Sequence, residues 1–162
     1  MKKYQHIASL FLRLAIAAGF LSAVADRFGY WGINDSKGVA WGDWQHFVNY
    51  TNVLLPFASP SVANVFAIAA TIAKAGLAFL LIPGLYTKLA ALCTGMLGLV
   101  FGVSMMLTLG IKAPLDYSVF VLSAAGFLLA GVGEHGWSLD AIILQRNGNS
   151  SSFNAGVQRN QS

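Results

Sequence analysis

The sequence predicts an all-α integral membrane protein, an antiparallel four-helix bundle with a short amphipathic helix in its first outer loop. Three observations predict it. Of 162 residues, 56% are hydrophobic and only 10% are charged, with mean hydropathy +0.63. A soluble domain carries about 25% charged residues, because most of its surface meets water. Four stretches approach the ~20 apolar residues needed to cross a hydrocarbon core of ~30 Å. Proline and glycine fall between the later stretches, as punctuation.

The same composition excludes a disordered chain and an ordinary cytosolic enzyme. Ten Lys and Arg against six Asp and Glu leave a net charge of +4, scattered without a basic stretch. Nucleic acid is therefore not an expected partner. Cys93 is the single cysteine and has no internal disulfide partner. No Cys/His grouping has metal-ligand spacing, so no metal is expected.

The first span runs over about residues 7–25 and contains Arg13. Lys2-Lys3, an apolar run and Ala23-Val24-Ala25 also fit a cleavable signal peptide. Arg13 inside the run, and three further spans that already target the chain, favour a retained helix. The second span covers about 62–83 and contains Lys74; Pro83-Gly84 ends it. Only a few residues then precede the third span, about 89–109, so these two form an antiparallel hairpin. Gly110 closes the third, and Pro114 stands in the first turn of the fourth, about 115–132. Residues 1–137 thus form one transmembrane domain. Residues 138–162, rich in Asn, Gly, Ser and Gln, read as a polar, largely disordered tail.

Cation placement orients the chain. Lys2, Lys3, Lys88, Arg146 and Arg159 fall on one side, and Arg27, Lys37 and Lys112 on the other. The positive-inside rule puts both termini in the cytoplasm and the loop 26–60 outside. In that loop Trp41, Trp44, Val48, Thr51 and Leu55 follow 3–4 spacing. This predicts a short helix on the outer leaflet, its Trp side chains anchoring at headgroup depth or forming a lid.

Topology also brings the end of the first span and the start of the fourth to one face. Asp26, Arg27, Trp41, Asp43, Lys112, Asp116 and Tyr117 become a candidate binding cluster at an outer mouth. The alternative is a set of interfacial anchors and helix caps, Asp116 favouring the start of the fourth helix through its dipole. Arg13 and Lys74 are intramembrane cations, ~9 Å and ~12 Å from the inner side at 1.5 Å per residue. No acidic residue lies in any span, so both are candidates for an inner site. Arg13 has snorkelling to the interface as its alternative. His6 and His135 share a side and would permit a bis-His haem, but neither stands in a supporting pattern. Gly98 and Gly102 form a GxxxG pair with Gly95 one turn earlier. The pair allows close helix approach, within the bundle or in a homo-oligomer.

Phe20 to Gly29, Trp41-Gly42-Asp43-Trp44, Pro83 to Ala91 and Gly110 to Phe120 resemble the DoxX family of small bacterial membrane proteins. The resemblance covers about residues 7–133. It implies a four-helix protein of the bacterial inner membrane and a link to the DoxD-type subunit of thiosulfate:quinone oxidoreductase. Family members often place a Glu in the second helix where this sequence has Lys74. The expected function is an accessory or subunit of a quinone- or thiol-linked redox system. No resident cofactor is expected; a quinone, membrane lipid and an oxidoreductase subunit are the expected partners. A non-catalytic lipid-binding or complex-stabilising protein is the alternative. A small-anion transporter fits less well, for lack of broken helices.

Overall fold

The structure, a computed structural model, describes residues 2–132 and 137–145. Their regular structure is entirely helical: α1 Lys2–Arg27, α2 Trp44–Leu54, α3 Pro60–Leu81, α4 Thr87–Leu109, α5 Lys112–Asp116, α6 Val119–Gly131 and α7 over 139–145. Among them α1, α3 and α4 are each long and apolar enough to cross a membrane. Pro60 opens α3, where its missing N–H is no loss. Asp43 caps α2, its side chain accepting from the His46 N–H.

One apolar core joins four helices: Ile16, Ala17 and Phe20 of α1, Ala78 and Leu81 of α3, Ala90 and Ala91 of α4, and Leu129 and Ala130 of α6. Antiparallel pairing of α1 with α3 follows from its two arginines. Arg27 bonds Thr71 near the middle of α3, while Arg13 bonds the Leu81 carbonyl at its end. The α4–α6 pair is closer still. Gly95 and Gly102 lie under the Phe127 and Phe120 rings, and Gly98 lies under Ser123. The Ser123 hydroxyl donates to the Gly95 carbonyl at 2.7 Å. The glycine stripe of α4 is therefore filled from within the chain. It leaves no Gly98/Gly102 surface for pairing two copies, against that expectation.

The fourth apolar stretch differs from its expected form. It is broken into α5 and α6, because Ser118 adopts a left-handed φ of 52° that a right-handed helix does not continue. Helix α6 alone has 13 residues, about 20 Å, short of a bilayer core. A broken helix is thus present after all. It breaks at the end beside α2 rather than midway, where transporters place their sites.

The expected polar tail begins later than residue 138. Leu139 and Asp140 donate their N–H groups to the carbonyls of Pro83 and Gly84. In return the Asp140 carboxylate accepts from the N–H groups of Tyr86 and Thr87 at 2.8 and 2.7 Å. A side chain 54 positions away thereby serves the unpaired donors at the start of α4. Glu134, His135 and residues 146–162 lie outside the described residues, and with them one half of the haem pairing and the remainder of the tail.

Candidate functional site

The sequence cluster at the supposed outer mouth divides in two. Asp26, Arg27 and Trp41 come together inside; Asp43, Lys112, Asp116 and Tyr117 remain exposed. Asp26 sits in the last turn of α1, and its Oδ2 accepts from the Ala40 and Trp41 N–H groups at 3.0 and 3.1 Å. That carboxylate ties the end of the first loop back onto α1. Gly42 sharpens the return with φ +72, a conformation that favours glycine.

Arg27 is fully buried. Its Nη1 donates to the Thr71 hydroxyl, and its guanidinium lies 3.6 Å from the centroid of the Phe47 ring. The Trp41 ring is 5.7 Å away. Such cation–π contacts replace part of the lost hydration. Nε and Nη2 have no hydrogen-bond partner, and neither has Asp26 Oδ1. Unpaired buried donors are rare and call for an explanation.

Helix α2 forms where the 3–4 spacing predicts it, but its face turns onto α3. Phe47, Val48, Thr51 and Leu54 are buried, and the Trp44 indole N–H donates to Asn64 of α3 at 3.1 Å. Trp44 also stacks on Phe28. These aromatic groups roof the buried arginine instead of facing outward as anchors alone.

Lys112 pairs with Asp116 four residues on, both exposed. Asp116 ends α5, and the start of α6 has Ser118 at its N-cap position with no side-chain cap bond, so Asp116 is not a cap there. Tyr50 is half-buried; burial, and then the charge of Tyr117, hold its phenol above the ordinary range. Asp43 is held below the usual carboxylate range, chiefly by the His46 backbone N–H and then by the His46 ring at 2.8 Å. The depressed value means that the cap's contribution is present above ordinary carboxylate pH. It disappears as pH falls through the lowered value. Asp43→Ala is therefore expected to lower the melting temperature at neutral pH, with the difference from wild type closing only in acid. A difference that does not change with pH would refute this assignment.

The two intramembrane cations are not one site. Arg13 donates to the carbonyls of Leu81, Ile82 and Trp137 at 3.0, 3.1 and 3.4 Å. It closes the C-terminal end of α3, with Asp140 in electrostatic range. Lys74 lies seven residues back along α3, about 10 Å away. Its charged neighbour is Arg27, at the C-terminal end of α1. The ammonium sits 4.9 Å from the Phe101 ring centroid and 5.8 Å from that of Phe20. Position on α3 explains this: Ala67, Thr71 and Ala78 form its buried stripe, and Lys74 falls in line with them.

Phe101 has a second surface. It lines a half-open cavity of about 290 Å³ between α3, α4 and the end of α2. Ala70, Ala73 and Val100 supply apolar wall, and Thr51 and Ser104 the few hydroxyls. A largely apolar cavity with a few polar groups at one side is the usual form of a small-molecule site. Only tertiary packing defines it. In the sequence, Phe101, Ala70 and Thr51 carry no signal beyond apolarity or helical spacing. No group of three His, Cys, Asp or Glu among the described residues is placed to hold a metal.

No family model matches this chain, and neither a curated protein nor a solved structure matches it.

Proposed function

We propose that this protein is a DoxX-like, multi-pass protein of the bacterial inner membrane that binds a quinone and serves a membrane oxidoreductase as accessory or subunit. In this reading α1, α3, α4 and the α5–α6 pair form a four-helix transmembrane bundle. Lys112 to Gly131 together give 20 residues, about 30 Å of chain if helical. Both termini are cytoplasmic and the roof formed by α2 is external. Large apolar side chains that face outward, among them Phe11, Ile72, Phe79 and Leu107, suit contact with lipid.

The observation that carries the proposal is the apolar cavity between α3, α4 and the end of α2, with the Ser104 hydroxyl on its wall. A quinone has a flat apolar ring, oxygen acceptors and a lipid-soluble tail. The ring and tail suit the cavity walls, and an oxygen can accept from the Ser104 hydroxyl. The chain would pass electrons only through such a bound quinone or a partner subunit. The DoxX resemblance supplies the redox context.

The test is extraction of small molecules from protein purified in mild detergent, followed by mass spectrometry. A quinone is expected near stoichiometric amounts. Ala73→Phe, which fills the cavity, should reduce it severalfold while Asp116→Ala retains it, each compared at equal amounts of monodisperse protein. Quinone no higher than in an unrelated membrane protein would overturn the proposal.

A further inference from the structure

Helices α3 and α4 pack together at one end and part toward the other. Near the Pro83-Gly84 turn, Ala78 and Leu81 of α3 join Ala90 and Ala91 of α4 in the common core. Farther along, α3 presents Ala69, Ala70 and Ala73, whose methyl groups leave the space before Leu97 and Val100 unfilled. The end of α2 closes that space over the top.

The resulting cavity is polar at one end only. At 1.5 Å per residue, Ala73 lies ~12 Å from the Leu81 end of α3, and Leu97 lies ~15 Å from the start of α4. Both stand near mid-helix. Ser104 lies ~26 Å from the start of α4, toward the end that α2 covers. Both hydroxyls of the lining, Thr51 and Ser104, are thus at the α2 end, and the mid-helix end is hydrocarbon. The two hydroxyls differ. Thr51 Oγ1 already donates to the Phe47 carbonyl at 2.9 Å. Thr108 bonds the Ser104 carbonyl, and the Ser104 hydroxyl has no acceptor among the described residues. Ser104 is therefore the donor left for a bound molecule.

The mouth is on the flank. Phe66 and Val100 line the cavity yet are 53% and 59% exposed, and Ala69 is exposed with them. They lie on two helices that are each long and apolar enough to cross a membrane. Thr51 and Leu54 of α2, by contrast, are buried. A molecule dissolved in hydrocarbon meets the opening directly, and one arriving from water meets the closed end.

We infer that a quinone enters this cavity sideways from the bilayer, between α3 and α4, and is fixed by one carbonyl oxygen accepting from the Ser104 hydroxyl. Its ring lies below Ser104 against Ala73 and Leu97, and its tail leaves through the flank into lipid. The inference rests on the reading of the cavity as a quinone site, and adds the entry route and the polar anchor.

Photolabelling of the full chain in nanodiscs tests both. The probe is a prenyl quinone with a diazirine on the first carbons of its tail, and labelled peptides are read by mass spectrometry. Label should fall on Phe66, Ala69 or Val100, and excess unlabelled quinone should suppress it. Suppressible label on 51–55 instead places the tail under α2; it overturns the sideways route and leaves the quinone reading in place. Ser104→Ala should raise the quinone concentration needed for suppression about fivefold, as expected for one neutral hydrogen bond, and Ser104→Thr should not. Ser104 is outside the buried stripe of α4, so loss of its hydroxyl leaves the helix packing intact. Equal suppression in Ser104→Ala and wild type overturns the anchor and again leaves the quinone reading. Stronger suppression by diacylglycerol than by the quinone keeps route and anchor and assigns the cavity to a glyceride ester. Label that nothing suppresses removes both.

Discussion

Gly126→Ala lowers the thermal stability of the detergent-solubilised protein, and Gly76→Ala raises it. Both glycines lie inside helices, where alanine is favoured by about 1 kcal/mol through backbone entropy. Propensity alone would make both changes stabilising. The surroundings separate them. A Cβ at Gly76 meets nothing within 4 Å. A Cβ at Gly126 would stand 2.5 Å from the Gly95 nitrogen and 2.9 Å from the Ala91 carbonyl oxygen. Both neighbours are backbone of α4, so no side chain can rotate away. Helices α4 and α6 must part, at an overpacking cost of about 1–3 kcal/mol or more. That exceeds the gain in propensity. The expected result is a lower melting temperature for Gly126→Ala and near loss of folded protein for Gly126→Leu. Melting of Gly126→Ala at or above the temperature of Gly76→Ala would show that α4 and α6 do not approach as described.

Arg13→Met is expected to destabilise the protein by several kcal/mol, since hydrogen bonds from a charged group contribute ~1.5–3 kcal/mol each. The guanidinium fork reaches three carbonyls on two chain segments, Leu81 and Ile82 on one and Trp137 on the other. Met keeps much of the volume and supplies no donor, so the end of α3 is left unpaired. Arg13→Lys should recover only part of the loss, because an ammonium cannot match a planar fork on three acceptors. The turn adds a constraint: Gly84 has φ +71, and a Cβ there would stand 2.6 Å from the Arg13 guanidinium carbon. Loss of the fork should also release α7, measured as faster proteolysis within 137–145 in Arg13→Met than in Arg13→Lys. Equal melting of Arg13→Met and wild type would restore the reading of Arg13 as a snorkelling residue.

The contrast between Arg13 and Lys74 marks the limit of what the residues announce. Both stood out for one reason, a cation in an apolar stretch. Arg13 satisfies helix-end carbonyls, and Lys74 lies between the Phe20 and Phe101 rings. The difference lies in neighbours 68 and 124 positions from Arg13, which spacing cannot supply. Similarly, Asp26 and Arg27 were legible as candidates because charge is scarce. Their companions Phe47 and Thr71 were not, since a buried Phe and a helical Thr are ordinary in any apolar protein. Lys112, Asp116 and Tyr117 reached the candidate cluster by topology alone. A shared end of a bundle does not place side chains within a few ångströms of one another.

Composition and spacing alone were enough to expect an all-helical chain, three of its four apolar stretches as long helices, a short helix within 41–55 and the Pro83-Gly84 hairpin. These depend on hydrophobic content and on local backbone preferences, which nearby residues carry. Three things needed the folded chain: the break at Ser118, the α7 segment that caps α4 through Asp140, and the cavity between α3, α4 and the end of α2. Each depends on atoms brought together from distant positions, where packing and hydrogen bonding override the local pattern.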